Sequence, residues 1–437
     1  MWFHDKASTP RALQNNSPVE DRWNAHGLVA GRPVPLSKLD ARKRYKVSEV
    51  GFHDRRRTGA ADADTSFYLD KSTSLGWAAL KPGGTVSFAH RNIAGLNRSL
   101  VGSVTSSNLL SPKDDVSFKF DYVHPYMDGV ENRSRNRTFK ASCFNSRKLS
   151  PVFIAGPHMD EAPPIWIDRK GFKANITESF TRQSTCTYGL VVEEITVLDD
   201  KNKICTHGSR VLPSGTLSMD GPPTTLSGTG VDQMAFLQGN ITRDTTEFVN
   251  GTPIGDRFIF QCDQGLGIGT NNPVFNRHQL SLTKFINLNK QEQGAGKPPP
   301  AVLALHGRYA GCIGDLPAYD AFALGGPHSV RGFNMGELGA ARNVVEGAIE
   351  LSVPVTVKNN HAQVYAFAEH GNDLGSSKDV KGNPTAFFQR AGQGTSFGFG
   401  VKIGPVRAEF TLDFNASKGS FNIRFGELNA PFHLDLG

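Results

Sequence analysis

Residues 395–414 read TSFGFGVKIGPVRAEFTLDF. Phe397, Phe399, Val401 and Ile403 interleave with Ser396, Gly398, Gly400 and Lys402. Val406, Ala408, Phe410, Leu412 and Phe414 interleave with Arg407, Glu409, Thr411 and Asp413. A period of two places every second side chain on one face, so each run is a strand with one apolar and one polar side. The pattern recurs outward from this stretch. Phe421, Ile423 and Phe425 alternate with Asn422 and Arg424; Val86 and Phe88 alternate with Thr85 and Ser87. Val116, Phe118 and Phe120 alternate with Ser117, Lys119 and Asp121.

A soluble β-sandwich shows the same alternation with its apolar faces turned inward. Two features favour a barrel in lipid. The strands run about ten residues, the length of a tilted membrane crossing. Their polar faces mix charges with glycine, which suits a wet lumen. Roughly fourteen to sixteen such segments fit between Gly84 and Gly426, enough for a barrel with an aqueous channel. Turn signals at Pro112–Asp115, Gly129–Arg135, Asp199–Asn202, Gly221–Pro223 and Gly294–Pro300 punctuate them.

Composition agrees. The 437 residues hold 46 Gly and 29 Phe but only 8 Tyr and 4 Trp, a balance of short Phe-bearing strands and Gly-rich turns rather than helices. No run of about 18 apolar residues marks a transmembrane helix. The N-terminal MWFHDKASTP lacks the apolar stretch of a secretory signal and does not read as a long transit peptide. The five cysteines, Cys143, Cys186, Cys205, Cys262 and Cys312, are scattered and never spaced C-x-x-C, so neither a disulfide framework nor a zinc site is expected. No metal, cofactor or catalytic triad is indicated, and the expectation is a protein that is not an enzyme. Residues 1–80 are rich in Pro and charge, with thirteen Lys or Arg against nine Asp or Glu. That basic excess is expected to be a solvated segment rather than a nucleic-acid surface. Only RYKVSEVGF (44–52) reads there as a strand.

Two glycine-rich stretches carry candidate chemistry. Gly265-Leu266-Gly267-Ile268-Gly269 lacks the correctly spaced third glycine and the following helix of a dinucleotide motif, so glycines lining a lumen explain it better. From Gly311 to Arg342 the chain runs without any period-two stretch, and long irregular loops are usually functional. It contains Val330-Arg331-Gly332-Phe333. An arginine there can fold into a cavity and hold a carboxylate bidentately. Phe367-Ala368-Glu369-His370-Gly371 offers one, with Glu369 facing opposite Ala366 and Ala368. From composition alone, an arginine exposed on a surface loop is the better expectation.

The motifs themselves change that expectation. Val330-Arg331-Gly332-Phe333 resembles the sixth-loop signature of the outer-membrane assembly and secretion superfamily. Phe367-x-Glu369-x-Gly371 looks like its partner strand motif, with Glu where Asp is common. More closely, residues 83–100, 141–153, 220–238, 319–343 and 364–386 resemble the protein-conducting channel family of the chloroplast outer-envelope translocon. The resemblance implies an all-β fold: a transmembrane β-barrel of sixteen antiparallel strands over residues 81–437, with the sixth loop tucked into the lumen. It also implies a soluble N-terminal segment, residues 1–80, as a remnant of the last of the polypeptide-transport-associated (POTRA) domains that the family carries ahead of its barrel. Leu428–Gly437 runs past the family's usual last strand.

The resemblance further implies a function: a channel that lets precursor proteins cross the plastid outer envelope. Its partners would be precursors with their transit peptides, receptor GTPases of the translocon and membrane lipid. Transit peptides are Arg- and Ser-rich and poor in acids. Alternation places Asp121, Glu346, Glu350, Glu409 and Asp413 on the polar face, where they would contact such peptides; the blander expectation is that they balance lumen Lys and Arg. Alternatives are a barrel insertase, a truncated paralogue with reduced import function, and a soluble β-sandwich binding protein.

Overall fold

The computed structural model of the chain describes residues 46–49, 61–69 and, apart from short stretches at turns and within loops, 82–425. Most of residues 1–80 and the tail Leu428–Gly437 lie outside the described residues. Sixteen strands follow one another: β1 (Ala61–Leu69), β2 (Pro82–Ile93), β3 (Arg98–Ser106), β4 (Val116–His124), β5 (Arg137–Leu149), β6 (Trp166–Thr181), β7 (Ser184–Leu198) and β8 (Val231–Asp244), then β9 (Thr252–Gly265), β10 (Phe275–Asn287), β11 (Val302–Gly314), β12 (Asn343–Val357), β13 (Asn360–Asn372), β14 (Gln393–Ile403), β15 (Val406–Asp413) and β16 (Gly419–Phe425). Each pairs antiparallel with the one before it. Two short strands, Lys46–Glu49 against β1 and Glu247–Val249 against β9, complete the sheet. Lys46–Glu49 falls within the one strand expected ahead of residue 80. Because β1 also lies there, the sheet begins before the boundary that composition suggests. Among the described residues β1 and β16 are not hydrogen-bonded to each other.

The faces of the sheet rule out the sandwich. Phe399 is 60% exposed and Ile403 58%, while Ser396, Glu409 and Thr411 are at 0%. Val86, Phe88, Phe118, Phe120, Leu237, Leu282, Ile349 and Phe421 are also exposed. Rings pair on this outer surface: Phe399 and Phe410, directly opposite in register, have centroids 5.8 Å apart. An apolar outside and a polar inside is the arrangement of a barrel in lipid, where the hydrocarbon is the solvent for the outer side chains. No helix among the described residues is long and apolar enough to cross a membrane.

The two rims differ. At one, only two residues separate β6 from β7, β12 from β13 and β14 from β15. At the other, the connections are long: 150–165, 199–230, 315–342 and 373–392. The sixth connection on this rim, residues 315–342, contains a small antiparallel pair, Phe322–Leu324 with Gly339–Ala341. It packs Leu316, Tyr319, Phe322, Leu324, Val330 and Phe333 against Ile195, Met234, Phe236 and Phe275 of the wall in one apolar cluster. The inward faces of β6 to β10 are therefore partly apolar near this rim, not uniformly polar. The glycine stretch at 265–269 divides accordingly: Gly265 ends β9 against the Phe275 ring, while Gly267 turns with φ +60° in the connection that follows.

This register makes a sharp prediction. Phe399→Arg, at the middle of β14, should cost about 2–4 kcal/mol of barrel stability in bilayers, read by denaturant titration. Spin labels at Ala408 and Glu409 check the faces. A lipid-soluble relaxation agent should reach 408 and spare 409; the reverse would show that β15 is turned over.

Candidate functional site: an arginine-pinned loop in the barrel

The site forms where loop 315–342 meets the inward face of β12, β13 and β15. Period-two alternation on β13 aims Tyr365, Phe367, Glu369 and Gly371 inward and Ala366, Ala368 and His370 outward. Pairing sets Glu350 opposite Phe367, and Gly400 lies between Tyr365 and Glu409 in register. Three carboxylates, Glu350, Glu369 and Glu409, thus converge from three strands.

Arg331 fills the space between them. Its backbone N–H donates to Glu369 Oε2 at 2.7 Å and its Nε to Glu369 Oε1 at 2.6 Å. Nη1 reaches Glu350 and Glu409 at 3.3 and 3.2 Å. The guanidinium lies 3.4 Å above the centroid of the Phe367 ring. Arg331 is 2% exposed. Burial of one charge is tolerated because fork geometry and ring contact replace its water.

Neighbouring contacts lock the arrangement. Arg407 binds Glu350 at 2.7 Å and stacks over Tyr365, whose hydroxyl donates to Glu409 at 3.1 Å. Ser329 donates to Glu346, which also pairs with Arg308 at 2.9 Å. Close approach demands glycine. A Cβ on Gly371 would stand 2.8 Å from Val330 Cγ2. Gly332 turns with φ +92°, a conformation that few other residues adopt. Phe333 is buried, and its ring tip lies 3.0 Å from where a Cβ on Gly394 would stand.

The structure therefore brings Val330, Arg331, Gly332 and Phe333 together with Phe367, Glu369 and Gly371. It also draws in Glu350 and Glu409, which the sequence pattern marked only as lumen acids, as further partners of Arg331. Glu346 belongs to the adjoining contact. Asp413 is buried and accepts from the Asn415 backbone at 2.6 Å. Asp121 stands apart on β4, paired with Lys140 at 3.1 Å.

A second mooring had no signal in the sequence. Asp320 of the same loop bridges Arg169 of β6 and Arg277 of β10, the latter at 2.7 Å. Arg169 also holds Glu193, and Arg277 holds Asp263, at 2.8 and 2.9 Å. Tyr319 donates to Asp232 at 2.9 Å, and Asp232 accepts the backbone N–H of Leu226 and Ser227 in the neighbouring 199–230 connection. Alternation could have placed Arg169 and Arg277 inward, but nothing in the sequence ties them to Asp320.

The Omp85 superfamily domain model matches residues 92–427. Protein TOC75-4, chloroplastic, of Arabidopsis thaliana is 57% identical over 346 residues, covering 79% of this chain and 86% of that protein. The chain belongs to the Omp85 superfamily and, within it, to the TOC75 family. Protein TOC75, chloroplastic, of Oryza sativa subsp. japonica is 73% identical over 350 residues, 80% of this chain and 42% of that protein. The chain thus spans less than half the length of this TOC75 relative. In fold, the barrel resembles the crystal structure of BamA from Haemophilus ducreyi lacking POTRA domains 1–3, with a TM-score of 0.59 at 14% identity, covering 85% of this chain and 70% of that one. Chloroplastic relatives and an Omp85 barrel place this TOC75-family chain in the outer envelope of the chloroplast.

Two measurements probe the moorings. Arg331→Ala and Glu369→Ala should each cost about 3–5 kcal/mol, as expected for breaking a buried ion pair, and together less than their sum. Strict additivity on barrel melting would mean that the pair does not act as a unit. Asp320→Asn should cost less, about 1.5–3 kcal/mol, because each arginine keeps its other carboxylate.

Proposed function

We propose that this chain forms the pore through which unfolded precursor proteins cross the chloroplast outer envelope. The observation that carries the reading is the sixth loop, pinned inside a lipid-facing barrel by Arg331. A lumen whose occupant among the described residues is a loop, held by ion pairs and an apolar cluster, can be emptied and refilled. Precursors would be its cargo, and receptor GTPases of the translocon its partners in the membrane. The residues ahead of Lys46, where the sheet begins, would belong to the soluble, POTRA-derived side of the protein.

The lumen acids take a conditional part. Glu346, Glu350, Glu409 and Asp413 are buried in this arrangement and Asp121 is salt-bridged. Glu346, Glu350 and Glu409, which the loop contacts, reach a passing basic segment only once it yields. Cation preference of the pore should accordingly be weak with the loop seated and stronger when it is loosened.

Planar bilayers test this. The refolded chain should conduct, and a basic transit peptide should raise the rate of brief closures in proportion to its concentration, while an acidic scrambled peptide should not. A silent chain, or one indifferent to the peptide's charge, would defeat the import reading. Arg331→Gln should shift the reversal potential in a salt gradient toward cations.

A further inference from the structure

The two moorings of loop 315–342 leave different walls behind. If Asp320 withdraws, Arg169 still holds Glu193 and Arg277 still holds Asp263, so that wall stays balanced. If Arg331 withdraws, Glu350, Glu369 and Glu409 lose the cation they share. Arg407 remains on Glu350, and the Tyr365 hydroxyl still donates to Glu409. The vacated pocket is acidic and already shaped for one kind of ion.

That shape is more than a group of acids. The pocket holds a bound guanidinium, contributed by a loop rather than by the wall. Phe367 presents its ring face 3.4 Å from that guanidinium, a surface that suits a planar cation and gives less to a compact ammonium. Glu369 receives both a side-chain Nε–H and the backbone N–H of the same residue. Any arginine in an extended polypeptide offers that pair of donors.

We propose that the Glu350, Glu369, Glu409 and Phe367 pocket is a receptor for arginine side chains of a translocating basic polypeptide, which displaces Arg331 and so releases the sixth loop. This rests on the import reading above. It deepens it by making the loop a competitor of the cargo: the chain carries in Arg331 an internal copy of the ligand. Lysine-rich segments of equal charge should open the loop far less well, because an ammonium neither forks onto Glu369 nor stacks on Phe367.

Chemical rescue tests the pocket in the full chain. Arg331→Ala should give a noisy pore with lowered melting temperature. Guanidinium chloride, too dilute to unfold the barrel, should quiet it saturably. Its half-effective concentration should be about tenfold below that of methylammonium chloride at matched ionic strength, the ratio for about 1.4 kcal/mol of preference. Urea, the neutral analogue, should do nothing. Arg331→Lys, which keeps the charge, should respond in the same order if the alanine variant does not fold. The wild-type arm needs no variant: an Arg-containing extended peptide should raise open-loop noise about tenfold more effectively than its Lys counterpart. Equal potency of guanidinium and methylammonium would overturn the site while leaving import intact. Guanidinium rescue without any Arg-over-Lys difference in peptide response would overturn the polypeptide as its ligand. Loss of the peptide response altogether, with rescue preserved, would instead strike the import reading.

Discussion

Lipid turns a barrel's chemistry inside out, and everything else here follows from how the enclosed charges are satisfied. The outer face of β14 and β15 is phenylalanine and valine, so the carboxylates, hydroxyls and lysines of alternate positions must point inward. Three of the carboxylates lie close enough that they repel unless a cation stands between them. Arg331 is that cation, and it arrives on a loop. Loop placement, the spacing of β12, β13 and β15 and the glycines beneath the loop are all conditions for one guanidinium to reach three acids.

The same demand explains why the loop is moored twice. A single pin on one wall would leave residues 315–342 free to swing within the lumen. Asp320 meets Arg169 and Arg277 across from Arg331, and Tyr319 carries the connection on to the 199–230 segment through Asp232. Between the two moorings, Val330, Leu324 and Phe322 pack into an apolar cluster. The lumen near the long-loop rim is thus a small protein core, bounded by ion pairs on both sides. Hydrophobic contact there has no direction, and the ion pairs give the loop its register.

How much of this was legible in the sequence differs along the chain. β14 and β15 announced themselves because their inner residues face polar neighbours, so alternation is clean. β7 did not: Leu190 and Val192 face lipid while Val191, Ile195 and Val197 face the loop's apolar core, and both faces read as hydrophobic. A strand packed on two sides loses its period-two signal. Arg331 and Glu369 were legible only because Val330–Phe333 and Phe367-x-Glu369-x-Gly371 resemble two paired family motifs; the residues alone favoured an arginine exposed on a surface loop. Glu350 and Glu409 could be assigned a face but not a partner, since three strands from different parts of the chain bring them together. Asp320 carried no local mark at all: its arginines lie 151 and 43 residues away.

The inward face of one strand is largely glycine. On β14, Gly394, Gly398 and Gly400 present bare backbone to the loop and to the rings of Phe333, Phe367 and Tyr365, which occupy the space a methyl group would need. The wall there is thinner by the depth of a side chain, and that depth has been transferred to aromatic rings borne by β13 and the loop. Wall and rings therefore share one fixed volume. A side chain at 398 or 400 would also meet the neighbouring strand's backbone, at Phe410 O and Ala408 O, so a smaller ring alone would not admit one and both positions are confined to glycine.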